Sequence, residues 1–240
     1  MAVNATMPFA RPRRDACLDW LQMLSGAALV LFMWCHMILV SSVILSTKVM
    51  DAIAWFFEVT YMAQVGGPII FIVFIAHFVL AARKIPFTAN GQETAWAHAK
   101  MLHHRDTWLW LAQVVTAMII LVMGAIHMWV VLNDFPIQAA KSAARVGSGG
   151  WLWFYFILLP MIELHVSIGA YRIGVKWGFI TRENRPKYKR IELYLFGAFV
   201  TIGVITLIVF AYLAKAMKEA EAAAEAAKTV TQLVLPLLGA

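Results

Sequence analysis

Four histidines of this chain lie within long apolar segments. They are His36, His77, His127 and His165, and each falls in a different segment. A neutral imidazole binds metal ions and transfers protons near neutral pH. A single histidine in such a segment is often a hydrogen-bond partner between helices, but four in four segments indicate a common role.

The segments that carry these histidines are typical of membrane spans. Hydrophobic residues make up 62% of the 240 residues and charged residues 14%, and the mean hydropathy is +0.75. This composition lies outside the range of soluble globular domains. Five stretches reach the length of about 20 apolar residues that a transmembrane helix needs. We therefore predict an all-α integral membrane protein, a five-helix bundle with spans near 19–45, 62–84, 107–132, 151–175 and 191–214.

Lysine and arginine are distributed unequally between the two sides of the predicted bundle. Fourteen lie on the side of the N-terminus and six on the other side. Because cytoplasmic segments carry the excess of basic residues, we predict a cytoplasmic N-terminus. The net charge of +7 is therefore a topology signal and does not indicate nucleic-acid binding.

The chain shows no internal repeat and no linker between domains. We predict one membrane domain over residues 1–215 and a C-terminal extension over residues 216–240. The first half of the extension is rich in alanine, glutamate and lysine, which favours a solvated helix. Pro236 predicts that this helix is interrupted before the end of the chain.

The predicted topology sorts the four histidines by depth. From the cytoplasmic edge, His36 and His127 lie about 16 and 20 residues in, or roughly 24 and 30 Å along a helix. His77 and His165 lie about 7 and 10 residues from the same edge, or roughly 10 and 15 Å. The histidines therefore form an outer pair, His36 with His127, and an inner pair, His77 with His165.

Two histidines from different helices at one depth can hold a haem between them. With both axial positions filled, such a haem transfers electrons and does not bind oxygen. Zinc would require four ligands together, and copper or di-iron sites usually add carboxylates or sulfur. A proton relay through the histidines remains open, although it does not explain two pairs. We predict two b-type haems.

The order of these residues resembles that of a known family. It is similar to the dihaem cytochrome b subunit of succinate:quinone oxidoreductases, in particular the five-helix anchor of menaquinol:fumarate reductases. The resemblance covers nearly the whole chain, from Arg11 through the fifth span. The residues that carry it are Cys35-His36, Ile75-Ala76-His77, Gly124-Ala125-Ile126-His127 and Glu163-Leu164-His165.

The resemblance implies a multi-pass subunit of the bacterial cytoplasmic (inner) membrane. It would anchor a flavoprotein subunit and an iron–sulfur subunit on its cytoplasmic face. Menaquinol would be oxidised in the membrane, and electrons would pass through two haem b groups and iron–sulfur clusters to FAD, where fumarate is reduced. The chain carries no flavin motif, and two cysteines cannot hold a cluster, so the FAD and the clusters are expected on the partner subunits. A dimer of the complex remains open.

Two glutamates are candidates for handling the protons of quinol oxidation. Glu58 lies in the apolar stretch 52–61 before the second span, and the resembled family carries a glutamate in this region at its quinol site. The alternative for Glu58 is that it is an interfacial glutamate whose carboxylate lies in water. Glu163 lies about 12 residues inside the fourth span and about 200° around the helix from His165. The resemblance implies proton transfer through Glu163, and a structural hydrogen bond is the alternative.

A haem propionate requires a cation, and Lys176 is the first candidate for the inner haem. It lies about three turns beyond His165, at the cytoplasmic end of the fourth span. Basic residues at this level also set topology, which is the alternative role of Lys176.

Two other functions remain open at this point. One is the quinone-reactive cytochrome b subunit of a hydrogenase or formate dehydrogenase, which also couples haems and quinone within helices. The other is a transporter that uses buried histidine and glutamate without a cofactor.

Overall fold

The computed structural model describes residues 13–238, with side chains through residue 232, and every element in that range is helical. Five helical segments are long and apolar enough to cross a membrane. This confirms the predicted fold class. Their bounds are Arg13–Ile44, Met62–Ala82, Arg105–Leu132, Trp151–Lys176 and Arg185–Gln232.

The first two spans each contain a change of helix type. Helix α1 (Arg13–Ser41) tightens into a 3₁₀ turn over Ser42–Ile44. Before the second span, Tyr61 adopts a φ of 58°, a region that residues other than glycine rarely occupy. A wide π turn, Met62–Gly66, then leads into α3 (Gly67–Ala82). Such π turns are frequent at functional sites.

The remaining three spans are uninterrupted helices: α5 (Arg105–Leu132), α7 (Trp151–Lys176) and α8 (Arg185–Leu238). Helix α8 contains the fifth span and continues without a break into the C-terminal extension. The interruption predicted at Pro236 is not observed, because α8 reaches Leu238. A proline this close to a helix end removes only one backbone hydrogen bond in the last turns, where carbonyl groups already bond to water.

Three shorter helices connect the spans: α2 (Thr47–Val59), α4 (Ala89–Leu102) and α6 (Ala139–Val146). The residues that precede α2 and α4 are Ser46 and Thr88. Each accepts a backbone N–H of the first turn on its hydroxyl oxygen, at 3.2 Å in both cases. These are side-chain N-caps, which satisfy donors that a helix start leaves free.

The described residues form a compact apolar core at one end of the bundle, where α6 packs against α8. Gly147 lies so close to Ala214 that a Cβ on the glycine would stand 2.3 Å from the Cβ of the alanine. Lys218 Nζ also donates to the Gly147 carbonyl at 2.9 Å. Beyond this contact the side chains of residues 219–232 are exposed. The buried core consists of Val43, Met50, Ala139, Ala143, Val146, Leu207, Phe210 and Ala214.

Large apolar side chains are exposed along the spans. Ile38, Ile72, Val122 and Ile208 are each more than half exposed. Helix α3 is almost wholly apolar, yet none of its residues is buried. A surface of this kind is stable in lipid and not in water, which agrees with the membrane assignment.

Candidate cofactor cavity

A cavity of about 950 Å³ runs through the bundle between α1, α3, α5 and α7. All four histidines line it, among mostly apolar side chains. We call the end near Asp19 and Lys176 the inner end, and the end near Asp134 and Arg145 the outer end. The volume lies at the upper limit of the roughly 300–1,000 Å³ that is usual for ligand and cofactor sites.

His36 and His127 lie together, as the depth argument predicted. Their ring centroids are 5.9 Å apart, with an angle of 65° between the ring planes. The ring of Phe32 stacks on His36 at 5.8 Å. The hydroxyl oxygen of Tyr155 lies 3.2 Å from Nδ1 of His127. The structure therefore brings the outer pair to one place, on α1 and α5.

His77 lies against α1, one of whose turns provides two polar contacts. Its Nδ1 is 3.1 Å from the backbone carbonyl oxygen of Gln22 and 3.0 Å from Oγ of Ser25. Gly26 allows this approach, because a Cβ at that position would stand 2.9 Å from Cε1 of the imidazole. Residues Gln22 to Gly26 therefore form the contact site for the ring of His77, which we call its seat.

His165 has the same surroundings on α5. Its Nδ1 is 3.1 Å from the backbone carbonyl oxygen of Gln113 and 3.2 Å from Oγ1 of Thr116. In both seats a glutamine carbonyl is followed, three residues later, by a hydroxyl side chain. This spacing puts both groups on one helix face.

The two carbonyl contacts determine which nitrogen of each inner imidazole carries the proton. A carbonyl oxygen only accepts hydrogen bonds, so Nδ1 of His77 and of His165 must be the donor. In the neutral ring the lone pair then lies on Nε2. This is the arrangement in which histidines ligate metals, with the other ring nitrogen donating to a carbonyl.

The residues present fit two axially ligated haems better than a metal cluster. Within residues 13–232, no group of three or more histidine, cysteine, aspartate or glutamate side chains could hold one metal ion. Zinc and di-iron sites need such a group. Four imidazoles from four helices around a long apolar cavity, with a glycine beside one ring, suit large planar groups that need one nitrogen on each face.

Both candidate glutamates are partly or fully shielded from solvent. Glu163 lines the cavity and is 2% exposed, and its Oε1 has no hydrogen-bond partner among the described residues. Glu58 is half-buried at the end of α2, where its carboxylate accepts the backbone N–H of Ile137. Ile137 itself lines the outer end of the cavity.

Lys176 lines the inner end of the cavity and is exposed. It forms no ion pair with another described side chain, whereas Arg83 and Lys84 are both paired with Asp19, at 3.1 and 2.9 Å. Arg172 donates to the side-chain carbonyl of Gln113 at 3.0 Å. Of the basic residues near this end, Lys176 is therefore available to a negatively charged group in the cavity.

An ion-pair cluster at the outer end was not predicted from the sequence. Asp134 is paired with Lys141 at 3.0 Å and with Arg145 at a shorter distance. These hydrogen bonds, the one from Lys141 most of all, hold the pKa of the Asp134 carboxyl below its usual value. Arg145 is only 14% exposed and lines the cavity.

The sequence contains signals for some of the residues that were missed. Gln22 and Gln113 are amides within apolar spans, and each is followed three residues later by a hydroxyl residue. That shared pattern could have indicated two equivalent positions. Tyr155 and Arg145 had no comparable signal, because aromatic and basic residues are common at the ends of membrane spans.

The fold and the cavity define a helical membrane protein with four histidines around an internal cavity. Residues 89–205 match the family model described as the succinate dehydrogenase/fumarate reductase transmembrane subunit. The chain also matches relatives of the same kind over most of their length, and it belongs to this family.

The relatives are named fumarate reductase cytochrome b subunits. The one from Wolinella succinogenes is 32% identical over 225 residues, which is 88% of this chain and 87% of the relative. Two from Helicobacter pylori strains are also 32% identical, over 215 and 200 residues, and cover 86% and 80% of this chain and 84% and 78% of the relatives.

Proposed function

We propose that the chain is the cytochrome b subunit of a quinol:fumarate reductase. It anchors the complex in the membrane, oxidises menaquinol and passes electrons to the iron–sulfur and flavin subunits. The observation that supports this most directly is the position of the four histidines in one cavity, with the ligating tautomer of His77 and His165 set by backbone carbonyls. The names of the relatives support the choice of fumarate reductase over a hydrogenase or formate dehydrogenase.

Four histidines would hold two haems. His36 and His127 are the ligands of the outer haem, and His77 and His165 those of the inner haem. When bound, such haems supply one-electron transfer with no open coordination position. The chain contributes the nitrogen ligands, the apolar walls that exclude water, and Lys176 as the cation for a propionate at the inner end.

The two glutamates would handle the protons released by quinol. Glu58 lies at the outer end, where its carboxylate is fixed by the N–H of Ile137 and so points toward a residue of the cavity wall. In this position it accepts a proton from quinol. Glu163 lies within the membrane on the cavity wall, with one oxygen that no described residue uses, and it moves protons through the bundle.

The partner subunits would bind at the inner end. The start of α1 at Arg13 and the basic loops between the second and third and between the fourth and fifth spans lie on that side, which the positive-inside rule assigns to the cytoplasm. The iron–sulfur clusters reside on those partners, because this chain has two cysteines, Cys17 and Cys35, which cannot hold a cluster. FAD resides on the flavoprotein partner. The complex is thereby held at the bacterial cytoplasmic membrane.

The proposal is tested by counting haems in histidine variants of the purified complex. We expect two b haems per chain in the wild type. His36→Ala and His127→Ala should each remove the same haem, and the double variant should lose no more than either single one. The same is expected of His77→Ala and His165→Ala. His98→Ala, an exposed histidine on α4, is the matched control and should retain both haems. A chain without b-type absorption bands would contradict the proposal and favour a transporter.

A further inference from the structure

We propose that Ser25 and Thr116 are positioning residues for the inner haem, and that their hydroxyl groups set its reduction potential through His77 and His165. The inference rests on the proposed function, since it assumes that these two histidines ligate one haem. Each hydroxyl contacts Nδ1 of its histidine and not Nε2, the nitrogen that would bind iron. Each acts through the imidazole ring that it contacts.

The hydroxyl of Ser25 closes a triangle of hydrogen bonds. It donates to the carbonyl oxygen of Gln22 at 3.0 Å, and it lies 3.0 Å from Nδ1 of His77. The same carbonyl lies 3.1 Å from that Nδ1. Since the hydroxyl proton is directed to the carbonyl, the hydroxyl oxygen presents a lone pair to Nδ1–H, and His77 has two acceptors.

The hydroxyl of Thr116 closes an equivalent triangle on another helix. It donates within its own helix, to Ala112 at 2.8 Å and to Gln113 at 3.1 Å. Its oxygen lies 3.2 Å from Nδ1 of His165, which is also 3.1 Å from the Gln113 carbonyl. The repetition of one arrangement on α1 and α5 indicates a requirement of the bound group and not of either helix alone.

The outer pair lacks this arrangement. Among the described residues, the one hydrogen-bond partner of the His127 ring is the Tyr155 hydroxyl, which can either donate or accept. For the ring of His36, no hydrogen-bond partner occurs among the residues that the structure describes, and its neighbours are the rings of Phe32 and His127. The double acceptor is therefore specific to the inner histidines.

Two acceptors on Nδ1–H pull the proton away from the ring and make Nε2 a stronger electron donor. Stronger donation stabilises ferric over ferrous iron, and hydrogen bonding around the ligands is one of the means by which a protein sets a haem potential. Removal of a hydroxyl acceptor should therefore raise the potential of the inner haem. The backbone carbonyls remain and keep the tautomer, so the haem should still bind.

The test uses Ser25→Ala and Thr116→Val in the purified complex, singly and together. Potentiometric titration followed by low-temperature EPR reports the two haems separately. We expect both haems to be retained, the midpoint potential of the inner haem to rise in each single variant and further in the double variant, and the outer haem to be unchanged. Ser25→Thr and Thr116→Ser keep a hydroxyl and should restore the wild-type value.

Matched controls remove hydroxyls that contact only their own helix. Ser41 donates to Ile38 and Thr201 to Gly197, so Ser41→Ala and Thr201→Val should leave both potentials unchanged. An unchanged or lowered inner potential with both haems present, or equal shifts of both haems, would overturn the inference and leave the proposed function intact. Absence of haem from the wild type would instead refute the proposed function.

Discussion

The hydroxyl oxygen of Tyr155 lies 3.2 Å from Nδ1 of His127. If His127 ligates iron through Nε2, its Nδ1 carries the proton and the tyrosine oxygen must accept it. The ring of Tyr155 also packs edge-to-face on the imidazole, with centroids 5.4 Å apart. One side chain thus holds the orientation of the His127 ring and offers its Nδ1 a hydrogen-bond partner.

We expect Tyr155→Phe to keep the outer haem and raise its midpoint potential by roughly tens of millivolts, since a neutral hydrogen bond contributes about 1 kcal/mol. The phenyl ring preserves the packing, so only the hydrogen bond is lost. Redox titration of the two haems measures the change. Tyr212→Phe, which alters an exposed tyrosine on α8, should change neither potential. A shift confined to the inner haem would contradict the assignment of His127 to the outer one.

Gly26→Ala should lower occupancy of the inner haem. The added Cβ would stand 2.9 Å from Cε1 of His77, so the ring must move away from its two acceptors on α1. Overpacking of this kind typically costs 1–3 kcal/mol. Haem content per chain, measured optically, should fall from two toward one. Gly197→Ala meets no atom within 4 Å and should keep two haems, and equal loss in both variants would refute this explanation.

Glu58→Gln should abolish most menaquinol oxidation without loss of haem. The amide oxygen can still accept the N–H of Ile137, so the local fold is kept, whereas the amide cannot take up a proton. Loss of a general base commonly costs about 10²–10⁴ in rate. The rate is measured with a quinol analogue, and chemical reduction of the haems serves as the reference.

Asp51→Asn is the matched control for Glu58. Asp51 also accepts a backbone N–H, that of Ala139 at 2.7 Å, but Ala139, unlike Ile137, does not line the cavity. Its amide variant should oxidise quinol at the wild-type rate. Normal activity in Glu58→Gln, with both haems present, would exclude Glu58 as the proton acceptor.

Glu163→Gln should slow menaquinol-driven fumarate reduction by about 10²-fold or more while both haems stay bound. The substitution keeps size and polarity but removes the transferable proton. Glu192 is a second buried glutamate, on α8, that does not line the cavity, so Glu192→Gln is the control. Full activity of Glu163→Gln would leave only a structural role.

We expect the ion pairs of Asp134 with Lys141 and Arg145 to stabilise the fold less in acid than near neutral pH. The pKa of Asp134 is lowered in the folded protein, so its contribution is complete above the unfolded pKa of about 3.9 and is lost as pH falls through the lower folded value. The side chain is 40% exposed, which limits the effect to about 1 kcal/mol or less. The midpoint of thermal unfolding in detergent should fall between pH 5 and pH 3. This fall should be smaller in Asp134→Asn than in the wild type. A variant with the wild-type pH profile would contradict this role.

The spans could be predicted from sequence because the bilayer imposes both their length and their apolar character. Predicted and observed bounds agree closely for the third span, where 107–132 corresponds to Arg105–Leu132. The fifth is longer than predicted, since α8 extends at both ends through charged residues that hydropathy does not count. Helices α2, α4 and α6 were missed because they lie outside the spans.

The pairing of His36 with His127 could be predicted because depth along a helix follows from residue number alone. The hydrogen-bond partners of His77 and His165 could not be predicted, because they depend on the rotation of α3 against α1 and of α7 against α5. Serine and threonine within a membrane helix usually bond to their own helix, so the sequence does not reveal that Ser25 and Thr116 also serve a neighbour.

Helix α3 has no buried residue, and Phe74, His77 and Phe78 on this helix line the cavity. A bundle with a long cavity in its centre lacks the interior contacts that normally consolidate a fold. Whatever fills the cavity contributes those contacts, and its binding free energy becomes folding free energy. We therefore expect the packing of α3 against its neighbours to be more stable when the cavity is filled than when it is empty.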